Sequence, residues 1–274
     1  MRALLSTASS LAVQTAVREG VATVTLCQSR RRNPLSTAAL HELYRALEVL
    51  QQAGDARVVV LEAEGPAFCA GHDLKELRAL QAGGSAGERG VRELFDACSS
   101  VMRAIVDSPL PVIAKVDGIA TAAGCQLVAS CDLALASEES RFATPGVNIG
   151  LFCHTPAVAL ARNVGRKAAM EMLLTGDMYS AEHAERIGLI NRVVPGAALD
   201  GEVETLAAQI ASKSTATIAH GKSSFNRQMS ARGDLEAAYA IAGDAMVRNA
   251  TAINDASEGI AAFVEKRPPR WTHR

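Results

Sequence analysis

Hydrophobic residues in the first half of the chain follow two alternating periods. β-branched runs at 21–26 and 57–61 predict strands, and leucines three or four positions apart within 36–53 predict a helix between them. The same order then repeats as helix 91–106, strand 112–116, helix 124–130 and strand 132–137. Strands that alternate with helices favour an α/β fold with a parallel sheet, whose ligands bind beyond the carboxyl ends of the strands.

The pattern changes after Pro195, where every remaining segment has helical spacing. Helices are predicted at 199–213, 215–229, 235–250 and 255–265. We therefore expect an N-terminal segment at 1–16, an α/β core at 17–196 and a helical C-terminal region at 197–274. The helical region either forms a second lobe or lies against a neighbouring subunit, and the sequence leaves both open.

Two other segments carry compositional signals. The first 18 residues contain two arginines, several serines and alanines and no acidic residue, which suits either an import peptide or a frayed terminus. The glycine-rich stretch at 83–87 follows a predicted helix and lacks the Lys-Ser/Thr of a P-loop, so it is predicted to be a flexible surface loop.

Composition narrows the possible functions. The chain has 274 residues, 49% of them hydrophobic, and a formal net charge of −1, so it is globular and has no basic surplus for nucleic acid or anionic lipid. The six cysteines form no C-x-x-C pair and no zinc-type cluster, which predicts free thiols and no metal site. The apolar runs are too short for a membrane-spanning helix.

Two turns built from small residues are the strongest chemical signal. The segments PAFCAGHDLKEL, at 66–77, and DGIATAAGCQL, at 117–127, each leave a predicted strand and enter a helix, which Asp73 could cap in the first case. Small side chains at a helix start leave backbone N–H groups accessible, as an oxyanion hole requires. Either segment alone could equally be a tight turn.

These segments belong to a longer series of motifs. With FATPGVNIGL, MEMLLTGDMYSAEHAERIGLINRVV and the terminal AFVEKR, they resemble the enoyl-CoA hydratase/isomerase (crotonase) superfamily over about residues 17–267. The resemblance implies a crotonase-like ββα superhelix core with a helical C-terminal region that mediates oligomerisation. It also implies an acyl-CoA ligand, no cofactor beyond CoA itself, and a homotrimer or a dimer of trimers.

Applied residue by residue, the resemblance assigns the oxyanion hole to the backbone N–H groups of Ala70 and Ala123. At the two positions where hydratases of the family carry glutamate, this chain has Gln126 and Gly146. A carboxamide cannot accept a proton at neutral pH and glycine has no side chain, so we expect hydration to be weak. Restoring both glutamates is predicted to raise it.

The remaining candidate site residues are a possible replacement for the catalytic base and possible contacts to CoA. His154 is a possible base, with Thr155 as the predicted N-cap of the next helix, although a structural role in its loop explains His154 as well. By resemblance, Arg32 and its neighbour Arg31 could meet CoA phosphates, and His72 could border the adenine; Asp73 lies in the same segment and is more simply a helix cap. In relatives the tail that contains Phe263 and Lys266 reaches CoA on another subunit.

Three functions follow. The first is an enzyme of the lyase or isomerase class that acts on acyl- or enoyl-CoA through a backbone oxyanion hole. The second is a working hydratase with a different base, and the third is an acyl-CoA-binding or regulatory protein without catalysis. Such a protein is expected in the cytoplasm of a bacterium or in the mitochondrial matrix of a eukaryote.

Overall fold

The computed structural model describes residues 11–231 and 233–274 and shows an α/β architecture with two sheets. The strands are β1 Val13–Arg18, β2 Val21–Leu26, β3 Val58–Ala63, β4 Val112–Val116, β5 Ile119–Thr121, β6 Leu133–Ser137, β7 Arg141–Ala143, β8 Tyr179–Ser180 and β9 Arg192–Val194. The helices are α1 Thr37–Ala53, α2 Leu74–Gln81, α3 Gly84–Val106, α4 Ala123–Ser130, α5 His154–Asn163, α6 Arg166–Thr175, α7 Ala181–Arg186, α8 Leu199–Ala211, α9 Thr215–Ser230, α10 Leu235–Ala252 and α11 Asn254–Val264.

The larger sheet has the strand order β1-β2-β3-β4-β6-β9, and all its pairs are parallel except β1 with β2. The predicted parallel sheet is therefore confirmed. The smaller sheet joins β5, β7 and β8, which are too short to leave a periodic signal in the sequence. It runs beside the start of α4 and so helps to build the candidate site described below.

The predicted boundary at residue 16 is wrong, because β1 begins at Val13 and pairs with β2 from its first residue. The prediction of an import peptide falls mainly on residues 1–10, which lie outside the described residues. The glycine-rich stretch is also not a loop, since α3 begins at Gly84. A Cβ at Gly87 would overlap the Leu80 carbonyl, so glycine there lets α3 pack against the end of α2.

The boundary at 197 also needs correction. Four residues of α8 pack on one face of the large sheet: Leu199, Val203, Ala207 and Ala211. They cover Val58 and Val60 of β3 together with Ile113 and Leu135 of the next strands. α8 is therefore a layer of the core, whose other face is covered by α1, α3 and α4, and the region that projects from the core begins with α9.

α9 to α11 bury few side chains and expose many apolar ones. The exposed set is Phe225, Met229, Leu235, Tyr239, Met246, Val247, Ile260, Phe263 and Val264, which we call the apolar tail face. No helix within the described residues is long and apolar enough to cross a membrane.

Lys222 of α9 attaches this region to the core. Its side chain is only 8% exposed, and Nζ donates to the carbonyl oxygens of Ile105 and Leu110, each at 3.0 Å, and to the Asp132 carboxylate at 2.6 Å. Burial raises the pKa of Asp132, and the Lys222 ammonium and the Val112 N–H oppose that rise. One ammonium thus joins α9 to the end of α3, the loop before β4 and the end of α4.

Candidate active site

The first small-residue turn is held between two neighbouring segments. On one side, Cys69 N–H donates to Ile119 O at 3.0 Å and Cys69 O accepts from Thr121 N–H at 2.9 Å. On the other side, Leu35 N–H donates to Gly71 O at 2.8 Å and Leu35 O accepts from Asp73 N–H at 3.3 Å. In this parallel pairing, the residue opposite Leu35 is His72. Its own N–H therefore points away from Leu35, towards the side on which β5 and α4 lie.

The second turn depends on Ala122, which has φ 52° and ψ −117°. This conformation suits glycine and strains a residue with a Cβ. Ala122 N–H donates to Ala143 O at 2.9 Å, which holds the turn against β7. The next residue, Ala123, is the first of α4, so its N–H has no acceptor within the helix.

Glycines allow these two turns to touch. A Cβ at Gly71, which has φ 89°, would lie 2.9 Å from Ala122 Cβ and 3.3 Å from Ala123 N. A Cβ at Gly124 would overlap the carbonyl oxygen of Cys69. Among the described residues, neither His72 N–H nor Ala123 N–H donates a hydrogen bond. Two unpaired backbone donors therefore lie near Gly71, one on the next residue of the chain and one on the turn that packs against it.

The predicted donor in the first turn was wrong. Ala70 N–H donates to Arg32 O at 3.0 Å and is not available to a ligand. Ala70 N–H and Asp73 N–H both point towards residues 32–35, and Gly71, with φ 89°, interrupts the regular alternation between them, so the N–H that is left free is that of His72. For Ala123 the structure shows a free N–H at the predicted position.

Gln126 lies one turn into α4 on the same side as Ala123. Its side chain is 4% exposed, and Oε1 is 4.0 Å from the Cys98 thiol of α3. Burial raises the pKa of Cys98 to about 12, so this thiol is protonated and can act as a weak donor. The amide nitrogen of Gln126 makes no hydrogen bond within the described residues.

At Gly146 the place of a side chain is filled by backbone. A Cβ here would lie 2.6 Å from Leu151 O and 2.9 Å from Cys153 Sγ, because the chain folds back and Leu151 N–H donates to Gly146 O at 2.9 Å. A glutamate at this position would displace that loop. The prediction that Gly146→Glu helps to restore hydration therefore requires this loop to move.

His154 is the first residue of α5 and is exposed. Its ring contacts Phe152, with 4.9 Å between the ring centroids, and no hydrogen bond or ring contact joins it to His72, Ala123 or Gln126. The helix takes Cys153 as its N-cap, so the predicted cap at Thr155 was wrong.

Asp73 is a helix cap, as expected: its carboxylate accepts from Lys75 N–H at 3.0 Å and from Glu76 N–H at 3.5 Å at the start of α2. It also forms an ion pair with Arg31. Burial would raise the pKa of Asp73, but the hydrogen bonds from Arg31 and from the two N–H groups outweigh it and lower that pKa. Asp73 is therefore an internal anchor of the first turn.

The remaining candidates lie at the surface. Arg32 is exposed and in the left-handed conformation, with φ 62°; its backbone N–H donates to Ser29 O and its carbonyl accepts from Ala70 N–H, while its guanidinium has no hydrogen-bond partner within the described residues. Phe263, at the end of α11, is 86% exposed, and Lys266 follows it on the surface. Within residues 11–231 and 233–274, no group of three or more His, Cys, Asp or Glu residues could hold a metal ion.

Comparison with known proteins gives a consistent result. A model of the family "Enoyl-CoA hydratase/isomerase" matches residues 16–274. The mitochondrial enoyl-CoA hydratase domain-containing protein 3 of Rattus norvegicus is 49% identical over 256 residues, which is 93% of this chain and 83% of the rat protein.

Solved structures agree with this result. The crystal structure of human enoyl-CoA hydratase domain-containing protein 3 has a TM-score of 0.89 and 46% identity, with 95% of this chain and 100% of that chain covered. A Mycobacterium smegmatis structure described as an enoyl-CoA hydratase also has a TM-score of 0.89, with 50% identity and 95% and 98% coverage.

Proposed function

Because the chain belongs to the enoyl-CoA hydratase/isomerase family, we propose that it binds an acyl-CoA thioester whose carbonyl oxygen accepts from His72 N–H and Ala123 N–H. The observation that carries this proposal is the pair of unpaired donors near Gly71. Fixed backbone donors of this kind stabilise negative charge on a carbonyl oxygen, and each is worth about 10²–10³ in rate in other enzymes.

We propose an enzyme of the lyase or isomerase class rather than an efficient hydratase. Gln126 can hold a water molecule but cannot take its proton, and the place of a second carboxylate at residue 146 is filled by the Leu151 carbonyl. A hydratase with another base is the first alternative. A non-catalytic acyl-CoA-binding protein is the second, and the same two substitutions favour it.

The proposed CoA contacts begin at Arg32, whose carbonyl binds the first turn and whose exposed guanidinium is suited to a phosphate. The apolar tail face supports assembly into a homotrimer or a dimer of trimers. In that assembly Phe263 and Lys266 would reach CoA on a neighbouring subunit. We propose no cofactor beyond CoA, and a cytoplasmic or mitochondrial matrix location for a bacterial or eukaryotic source.

Calorimetric titration with butanoyl-CoA tests the binding proposal. We expect saturable binding and, in infrared difference spectra, a shift of the thioester carbonyl stretch to lower frequency, since two donors weaken the C=O bond. Absence of saturable binding would contradict the proposed function. Binding without the carbonyl shift would contradict the oxyanion hole alone.

A crotonyl-CoA hydration assay tests the reaction class. We expect turnover well below the range of about 1–10³ per second that is typical of enzymes, and we expect Gln126→Glu to raise it because a carboxylate can activate water. Fast hydration by the wild-type protein would favour the alternative of a hydratase with another base.

A further inference from the structure

The imidazole of His72 has one nitrogen engaged and one unpaired. Nδ1 is 3.3 Å from Leu35 O, and because a carbonyl oxygen only accepts, Nδ1 carries the hydrogen. Nε2 then holds a lone pair. That atom is buried and has no hydrogen-bond partner within the described residues. Buried polar atoms are nearly always paired, so an unpaired nitrogen beside a candidate active site requires an explanation.

The surroundings of the ring keep it neutral. Phe95 of α3 packs against it in an edge-to-face arrangement, with 4.9 Å between the ring centroids. Burial lowers the pKa of His72, and the Leu35 carbonyl and Glu76 of α2 only partly oppose this. The neighbouring carboxylate of Asp73 is neutralised by Arg31. A neutral imidazole with a free lone pair is a general base at physiological pH.

His72 also supplies one of the two backbone donors. A thioester whose oxygen accepts from that N–H brings its acyl group next to residue 72. We infer that His72 Nε2 is the base that removes a proton from Cα of the bound acyl thioester. This inference rests on the proposed function. Nε2 is covered in this structure, where the Phe95 ring packs against the imidazole, so the inference requires the acyl group to displace that cover when it binds.

The proposed step balances without any co-reactant. The Cα–H bond breaks, its electron pair forms the bond from Cα to the carbonyl carbon, and the carbonyl π electrons move to the oxygen. The resulting oxyanion accepts from His72 N–H and Ala123 N–H. The proton resides on Nε2 as imidazolium, whose Nδ1–H still donates to Leu35 O. Return of the proton to Cα gives exchange, and its delivery to Cγ of an unsaturated chain gives isomerisation.

Exchange of the Cα protons of butanoyl-CoA in D₂O, followed by NMR, tests this inference. We expect exchange with the wild-type protein and a decrease of about 10²–10⁴-fold in His72→Phe, which keeps the backbone N–H and a ring against Phe95 but has no lone pair. Affinity for butanoyl-CoA and the carbonyl frequency shift should remain. His41→Phe, at an exposed position on α1, is the matched control and should exchange like the wild type.

The outcomes separate the two proposals. Saturable binding without exchange in the wild type would overturn the role of His72 and leave the proposed function standing, whereas absence of binding would remove the proposed function itself. If exchange is retained in His72→Phe, or is lost only in His154→Phe, the role of His72 as the base is overturned.

The pH profile of the wild-type protein gives a further test that needs no variant. The exchange rate should fall as the pH drops through the lowered pKa of His72, because imidazolium has no lone pair. A rate that does not fall at any acidic pH at which the protein stays folded and binds butanoyl-CoA would overturn the inference even if His72→Phe does not fold.

Discussion

The two turns that supply the unpaired N–H groups are built in different ways. The turn at 69–73 is held by hydrogen bonds on both flanks and has a glycine, Gly71, at its left-handed position. The turn that begins α4 has Ala122 in a conformation that strains its Cβ, held by one hydrogen bond to Ala143. Hydrogen bonds on both flanks orient the His72 N–H, whereas the strained backbone of Ala122 orients the Ala123 N–H. The two turns should therefore respond differently to substitution.

The largest loss in the free energy of unfolding is expected at Gly124, where the two turns touch. Gly124→Ala would place a Cβ 2.2 Å from the Cys69 carbonyl oxygen. Because the main chain fixes the positions of both atoms, we expect a loss of about 3 kcal/mol in the free energy of unfolding. Urea unfolding measures this. Gly221→Ala is the matched control, since Gly221 lies in α9 with open space around it, and it should stabilise by up to about 1 kcal/mol. Equal effects of the two variants would contradict the close approach of the turns.

A smaller loss in the free energy of unfolding is expected at Asp73, which anchors the turn at 69–73. Asp73→Ala removes the cap of α2 and the partner of Arg31, which should cost about 1–2 kcal/mol in urea unfolding at pH 7. Asp73→Asn keeps the cap and should cost less.

The contribution of Asp73 to the free energy of unfolding depends on pH. The folded pKa of Asp73 is lowered, so its ionic contribution is complete above the unfolded pKa of about 3.9 and is lost as the pH falls through the folded value. The stability difference between the wild type and Asp73→Asn should therefore shrink in acid. A difference that is independent of pH would show that the ion pair adds nothing to the cap.

The smallest effect, and one of opposite sign, is expected at the strained turn. Ala122→Gly should stabilise the protein by about 0.5–1 kcal/mol, because glycine adopts positive φ without a Cβ clash and this gain exceeds its entropic cost. Ala129→Gly, within the regular part of α4, should destabilise by about 1 kcal/mol. Thermal unfolding of both variants compares them, and destabilisation by both would mean that Ala122 is not strained.

The sequence predicted the features that repeat locally. Strand periodicity placed β2 and β4 at their observed residues, and small residues marked both turns. It did not predict which N–H of the first turn is free, because that depends on Arg32 pairing with Ala70, 38 positions later in the chain. For the same reason, nothing in the sequence showed that the Leu151 carbonyl occupies the space beside Gly146.

The junction at Lys222 has a consequence for the surface of the molecule. Its ammonium holds three oxygens from separate stretches of the core, while no residue of the helix that carries it is fully buried. Together with Asn226, whose Nδ2 donates to Val106 O at 2.9 Å, this buried cation ties the helices of the apolar tail face to the core. A protein that docks on that face would therefore meet a surface whose attachment depends in part on Lys222, and we expect a shorter or neutral side chain there to loosen it.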